Sequence, residues 1–128
     1  MIYLWIALGS ALGGVARYGC YGLMARLLGE TFPWGTLAIN VTGSTFIGFF
    51  ATLTGPDGRL FAPSATRQFV MAGFCGGFTT FSTFSLETLS LARDGQLAKA
   101  LGNILGTLLI CLLGVWCGHM MAVALNER

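Results

Sequence analysis

Long apolar stretches separated by short polar segments set the pattern of this chain. They run over about residues 2–28, 34–53, 68–91 and 97–125. A helix of about 20 apolar residues crosses the hydrocarbon core of a bilayer. The pattern therefore predicts an all-α membrane protein, in which residues 1–128 form a single domain of four transmembrane helices.

Composition excludes the soluble classes of protein. The chain has 128 residues, of which 55% are hydrophobic and only 9% charged, whereas a soluble domain carries about 25% charged residues. A formal net charge of +2 supplies no basic face for nucleic acid. The sequence contains no hydrolytic triad, metal-ligand cluster or phosphate loop, and we therefore predict that the protein is not an enzyme.

Basic residues divide evenly between the two predicted sides of the membrane. The side of the termini has Arg59, Arg67 and Arg128, and the opposite side has Arg26, Arg93 and Lys99. An excess of Lys and Arg on one side normally fixes the orientation of a membrane protein. Without that excess the chain can insert in both directions, which suggests an antiparallel homodimer. The alternative is a single orientation set by subtler signals.

Two polar side chains inside the predicted spans need a partner or a purpose, because burying them in lipid is costly. Arg17 lies deep in the first span and cannot lose its charge. It is either an anion attractor in a vestibule or a structural anchor between helices. Asn40 lies inside the second span. Its amide can donate two hydrogen bonds to an anion, or it can bond across helices.

The middle of the third span indicates a broken helix. Gly76-Gly77 next to Thr79-Thr80 weakens a helix and frees backbone groups. Freed carbonyl oxygens suit a hard cation, and the half-helix that follows directs its amide N–H groups inward. The alternative is a kinked helix whose glycines serve packing.

After the predicted break, helical spacing places side chains in stripes. Phe81 and Phe84 form an aromatic stripe, and Thr80, Thr83 and Glu87 form a hydroxyl stripe that leads to a carboxyl group. The positive edges of the rings could hold a dehydrated anion, or the rings could simply face lipid or pack. In the fourth span a possible further polar line consists of Asn103, Thr107 and Cys111, and His119 lies near the far end.

Three motifs resemble the signatures of the Fluc (CrcB) family of fluoride channels. They are GGVARY at residues 13–18, NVTG at residues 40–43 and GFCGGFTTFSTFS at residues 73–85. The resemblance extends in order over essentially the whole chain. It implies an antiparallel, dual-topology homodimer in a bacterial cytoplasmic (inner) membrane, with two pores, passive export of fluoride and protection of the cell from fluoride.

The resemblance also implies roles for individual residues. Those that would line the fluoride pore are Asn40, Thr80, Phe81, Ser82, Thr83, Phe84 and Glu87. The backbone carbonyls of Gly76 and Thr79 would hold a structural sodium ion at the dimer axis. Arg17 would have a structural role or would lie in a vestibule of the pore. The polar line of the fourth span is sparser than in some members, which leaves its part in the anion path open.

Two other classes are weighed against the channel. A small multidrug-resistance exporter also has four spans, but such carriers have a membrane-embedded glutamate in the first helix. Here the first helix holds Arg17, and Glu87 lies in the third span. A structural subunit of a larger membrane complex would not need a polar line beside a broken helix.

Overall fold

The computed structural model describes residues 1–128 and contains helices and no strands, which confirms the all-α prediction. Helix α1 is Ile2–Leu28 and α2 is Trp34–Leu53. The third segment (Ser64–Arg93) consists of α3 (Ser64–Gln68), a π-helical stretch (Phe69–Cys75), α4 (Gly76–Phe78) and, after a break, α5 (Phe81–Arg93). Helix α6 is Leu97–Asn126.

Three helical segments are long and apolar enough to cross a membrane: Trp34–Leu53, Ser64–Arg93 and Leu97–Asn126. Helix α1, with 27 residues, is about 40 Å long at 1.5 Å per residue and also exceeds the thickness of the hydrocarbon core. Its hydropathy is lower, because it contains two arginines and three tyrosines. Three of the four predicted spans are therefore supported, and the crossing of α1 stays a prediction.

The helices pack as two pairs. Helix α2 packs along α6, and α1 packs against the π-helical stretch and α4. Only 20 of the 128 residues are buried, and large apolar side chains of α6 such as Leu101, Leu109 and Leu113 face outward. Because an apolar surface of this extent is rare on a soluble monomer, the surroundings that suit it are lipid or a second protein chain.

The break in the third segment falls on the threonine pair and not on the glycine pair. Thr79 and Thr80 have extended backbones, with ψ angles of 159° and 117°. Gly76 and Gly77 are helical, and a Cβ atom on Gly77 would lie 2.5 Å from the carbonyl oxygen of Ser10 in α1. Gly77 therefore serves the close approach of two helices, which is the packing alternative considered for the glycines.

This contact predicts different outcomes for the two neighbouring glycines. A Gly77→Ala variant is expected to be destabilised by about 1–3 kcal/mol, because the new methyl group meets backbone atoms that cannot move aside. Gly76→Ala is the matched control, since the nearest atom to its new Cβ would be the Met71 carbonyl oxygen at 3.9 Å. Melting temperatures in detergent measure the difference. Equal destabilisation of both variants would contradict the assignment.

Candidate functional site

Asn40 of α2 holds the break in the third segment. Its Nδ2 donates to the Thr80 carbonyl oxygen at 3.0 Å, and the Thr80 backbone N–H donates to its Oδ1 at 2.8 Å. Both residues are buried. The single side chain thus satisfies two peptide groups that the break would otherwise leave unpaired in the membrane. An amide has two N–H donors, so one remains for a ligand.

The Thr80 side chain begins α5. Its Oγ1 accepts from the Thr83 backbone N–H at 3.2 Å, which is the N-cap arrangement. The same hydroxyl lies 3.2 Å from Thr83 Oγ1 and 3.3 Å from Ser82 Oγ. The structure therefore brings three of the predicted hydroxyl groups together, immediately after the break.

A cavity of about 360 Å³ lies beside this break. The predicted site residues that line it are Asn40, Gly76, Thr79, Thr80, Phe81 and Phe84. No charged side chain is among the lining residues. The cavity therefore offers hydroxyl, amide and aromatic groups, without a fixed charge that would bind a small anion tightly.

The two phenylalanines contact each other at the cavity wall. Their ring centroids are 5.4 Å apart, with an angle of 58° between the ring planes. Phe84 is 7% exposed, whereas Phe81 is 72% exposed. The predicted shared face is observed, and Phe81 places one side of the cavity at the outer surface of the protomer.

Further residues of α2 and α6 complete the cavity lining. Gly43 and Ser44 of α2 line it, as do Thr107 and Cys111 of α6. A Cβ on Gly43 would lie 2.3 Å from Thr79 Cγ2, so only glycine leaves room for that side chain. Gly43 and Ser44 follow Asn40 by three and four positions, a helical spacing that identifies them as neighbours of Asn40.

The polar line of α6 is a hydrogen-bonded chain. Asn103 Nδ2 donates to Thr88 Oγ1 of α5 at 2.9 Å, and Thr107 Oγ1 donates to Asn103 Oδ1 at 3.2 Å. The line therefore ties α6 to α5 at Asn103 and reaches the cavity at Thr107. His119 lies elsewhere, where its Nδ1 is 2.7 Å from Thr52 Oγ1.

The structure places Glu87 in a second cavity of about 340 Å³, away from the phenylalanines. Thr36, a buried residue of α2, donates to Glu87 Oε1 at 2.6 Å. The buried Oε2 atom of Glu87 and the buried hydroxyl of Tyr21 have no hydrogen-bond partner. Thr36 precedes Asn40 by one helical turn, and this spacing is the only sequence signal for its part in the site.

At the break, the carbonyl oxygen of Thr79 bonds to Arg17, and the carbonyl oxygen of Gly76 lacks its helical partner. Arg17 Nη1 donates to the Thr79 carbonyl oxygen at 3.4 Å. In an unbroken helix the Thr80 N–H would bond the Gly76 carbonyl, but here it bonds Asn40. The carbonyl groups of Gly76 and Thr79 thus present the kind of oxygen atom that a hard cation prefers as a ligand. The Thr79 carbonyl oxygen keeps a second lone pair after it has accepted the hydrogen bond from Arg17.

Comparison with known proteins gives long and consistent matches. The family model described as "CrcB-like protein, Camphor Resistance (CrcB)" matches residues 4–119. A protein of Opitutus terrae named "Fluoride-specific ion channel FluC" is 59% identical over 126 residues, which are 98% of this chain and 96% of that protein. A protein of Rhodospirillum rubrum with the same name is 57% identical over 127 residues, which are 99% of this chain and 98% of that protein.

Proposed function

Since the chain belongs to the CrcB family, a family of ion channels and not of enzymes, we propose that it is a fluoride-selective channel. It carries fluoride passively out of the cytoplasm and so protects the cell from fluoride toxicity. Its close relatives from two organisms are named as fluoride-specific ion channels over almost their whole lengths. The multi-pass chain lies in the cytoplasmic (inner) membrane of a bacterial-type cell.

The observation that carries this proposal is the uncharged cavity beside the broken helix. Fluoride is small and strongly hydrated, so a dry conduit must replace its water shell with hydrogen-bond donors. The free amide proton of Asn40 is such a donor, and the rings of Phe81 and Phe84 add positive edges. The hydroxyls of Thr79 and Thr80 donate to the Cys75 carbonyl oxygen and to Thr83 Oγ1, and each becomes a donor to the ion when it rotates away from that partner. A cationic side chain in direct contact with the ion along its path would hold the ion instead of letting it leave.

The remaining site residues extend the path. Ser82 and Thr83 continue the hydroxyl cluster from Thr80, and Glu87 lies at the second cavity. Passive transport is sufficient, because hydrogen fluoride enters cells as the neutral acid, dissociates inside, and leaves fluoride to be driven outward by the membrane potential.

An ion-efflux measurement on purified protein in liposomes tests this function. Vesicles loaded with potassium fluoride or potassium chloride are given valinomycin, and each released anion is followed with its own electrode. We expect rapid release of fluoride and no release of chloride. Absence of fluoride release from vesicles that contain folded protein would overturn the proposed function.

The same proposal includes an antiparallel, dual-topology homodimer with two pores. Its support is the equal division of basic residues between the two sides of the membrane, the outward-facing Phe81 and a surface of small residues on α6. At Gly102 and Gly106, one turn apart, nothing lies within 4 Å of an added Cβ atom. Small residues at this spacing let a second helix approach closely, and a partner chain would cover the open side of the cavity.

A structural sodium ion at the dimer axis completes the proposal. Gly76 and Thr79 of each chain would hold it through their carbonyl oxygens, since the broken helix leaves these atoms without their helical partners. One chain offers only two such oxygens, so two chains are needed to surround the ion. When bound, sodium would offset the partial negative charges of the carbonyl oxygens that point toward it.

Removal of sodium is therefore expected to weaken the dimer. The measurement compares the monomer–dimer equilibrium in lipid between sodium and N-methylglucamine buffers of equal ionic strength. Gly102→Leu, which obstructs the helix contact without touching the carbonyls, should weaken the dimer equally in both buffers. A dimer that is equally stable with and without sodium would contradict the sodium site.

A further inference from the structure

A third hollow, of about 580 Å³, lies at the loop between α2 and α3. Arg59 and Arg67 line it, together with the backbone turn at Gly55, Pro56 and Gly58. No carboxylate is among the lining residues, although Asp57 belongs to the same loop. The hollow therefore concentrates two fixed positive charges, whereas the cavity at Glu87 also contains Glu30 and Asp94 and no basic residue.

Both arginines retain most of their hydrogen-bond donors. Arg59 Nη1 donates to the Leu125 carbonyl oxygen at 3.3 Å, and Arg67 Nη1 donates to Thr54 Oγ1. A guanidinium group has five N–H donors, so each arginine has several left for an anion. The existing bonds position the two guanidinium groups, and the acceptors are uncharged oxygens, so neither group is hydrogen-bonded to a carboxylate.

The hollow lies where three membrane segments end. Its lining residues run from Thr54, which directly follows α2, to Arg67 in the short helix α3. The Arg59 backbone N–H donates to Asn126 Oδ1 at 2.8 Å, which ties the loop to the end of α6. This position corresponds to the head-group layer of a bilayer.

Two apolar side chains at the rim distinguish a lipid from a free anion. Leu60 is 53% exposed and Phe61 is 92% exposed, and both line the hollow. A dissolved phosphate ion would gain nothing from them, whereas a lipid offers acyl chains directly below its phosphate. Exposed apolar side chains beside two arginines therefore suit a molecule that carries both a phosphate group and hydrocarbon chains.

We propose that this hollow is a binding site for an anionic phospholipid. Arg59 and Arg67 hold the head-group phosphate by charge-assisted hydrogen bonds, and Leu60 and Phe61 contact the upper acyl chains. The site is separate from the conducting cavity and does not depend on which ion the protein transports. It fixes the α2–α3 loop and the end of α6 to the membrane surface.

Lipid titration of the purified full-length protein in detergent tests this site. The probes are short-chain phosphatidylglycerol, phosphatidylcholine with the same acyl chains, and inorganic phosphate, with binding followed by native mass spectrometry. We expect phosphatidylglycerol to bind about tenfold more tightly than phosphatidylcholine. In the double variant Arg59→Gln and Arg67→Gln this preference should disappear, whereas Arg93→Gln at the other end should retain it.

Two results would overturn the proposal. One is equal binding of the two lipids by the parent protein, and the other is displacement of phosphatidylglycerol by inorganic phosphate at an equal concentration, which would indicate a site for free anions. If the double variant does not fold, the salt dependence of the parent decides. Sodium chloride should weaken phosphatidylglycerol binding and leave phosphatidylcholine binding unchanged, while Phe61→Ser should weaken both.

Discussion

An Asn40→Ala variant is expected to lose nearly all fluoride efflux and to melt at a lower temperature than the parent. The change removes both hydrogen bonds to Thr80 and leaves its N–H and carbonyl unpaired in a buried position. Each unpaired group costs about 1–3 kcal/mol. The break is then free to rearrange, and the hydroxyl cluster at the start of α5 shifts away from the conduit. Liposome efflux and thermal unfolding in detergent measure the two effects.

Thr42→Ala is the matched control for this variant. Thr42 lies two positions further along α2, is exposed, and bonds only to the Ala38 carbonyl of its own helix at 2.6 Å. Its replacement should leave flux and melting temperature close to those of the parent. An Asn40→Ala variant with normal flux would show that the two hydrogen bonds between Asn40 and Thr80 are unnecessary for conduction.

Replacing Phe81 or Phe84 with isoleucine is expected to reduce fluoride efflux about tenfold while the dimer stays intact. Isoleucine keeps an apolar side chain but has no ring edge to contact the anion. A loss of about 1.4 kcal/mol at the transport barrier slows a rate tenfold. The two variants are compared by efflux from liposomes and by size-exclusion chromatography, which reports the oligomeric state.

Phe74→Ile supplies the comparison for the aromatic pair. Phe74 stacks on Phe78 with ring centroids 5.9 Å apart, in the half of the third segment that precedes the break. Neither ring lines the cavity beside the break, so this variant should conduct like the parent. Normal flux in both Phe81→Ile and Phe84→Ile would remove these rings from the path.

Periodicity along the chain was sufficient to predict most of the helical architecture. Helix α2 was predicted at residues 34–53 and is observed at Trp34–Leu53. The third segment was predicted from residue 68 but begins at Ser64. Its first turn is polar and follows Pro63, a residue that helices tolerate only at their start, so composition alone assigned it to the loop.

The location of the break depended on contacts that local sequence does not contain. Glycine propensity favours Gly76 and Gly77 as the weak point, but α1 packs so closely on Gly77 that this turn remains helical. The extended backbone at Thr79 and Thr80 is held by Asn40, a residue distant in sequence. The π-helical stretch at Phe69–Cys75 likewise has no signal in the sequence.

The candidate site was predicted as a set of residues, and the structure divides that set in space. Spacing correctly joined Phe81 to Phe84, because both lie on one short helix. It also grouped Glu87 with Thr80, but one further turn brings Glu87 to Thr36 and a different cavity. Helical spacing specifies a face and does not specify where a cavity along that face ends.

The pair of hydrogen bonds between Asn40 and Thr80 also has a consequence for biosynthesis. Ribosomes make α2 before the third segment, so the amide of Asn40 is available in the same chain as soon as the broken helix forms. A break inserted without that amide would expose two peptide groups to lipid. The order of the elements along the chain therefore lets each nascent protein shield its own defect during insertion, before any second copy is encountered.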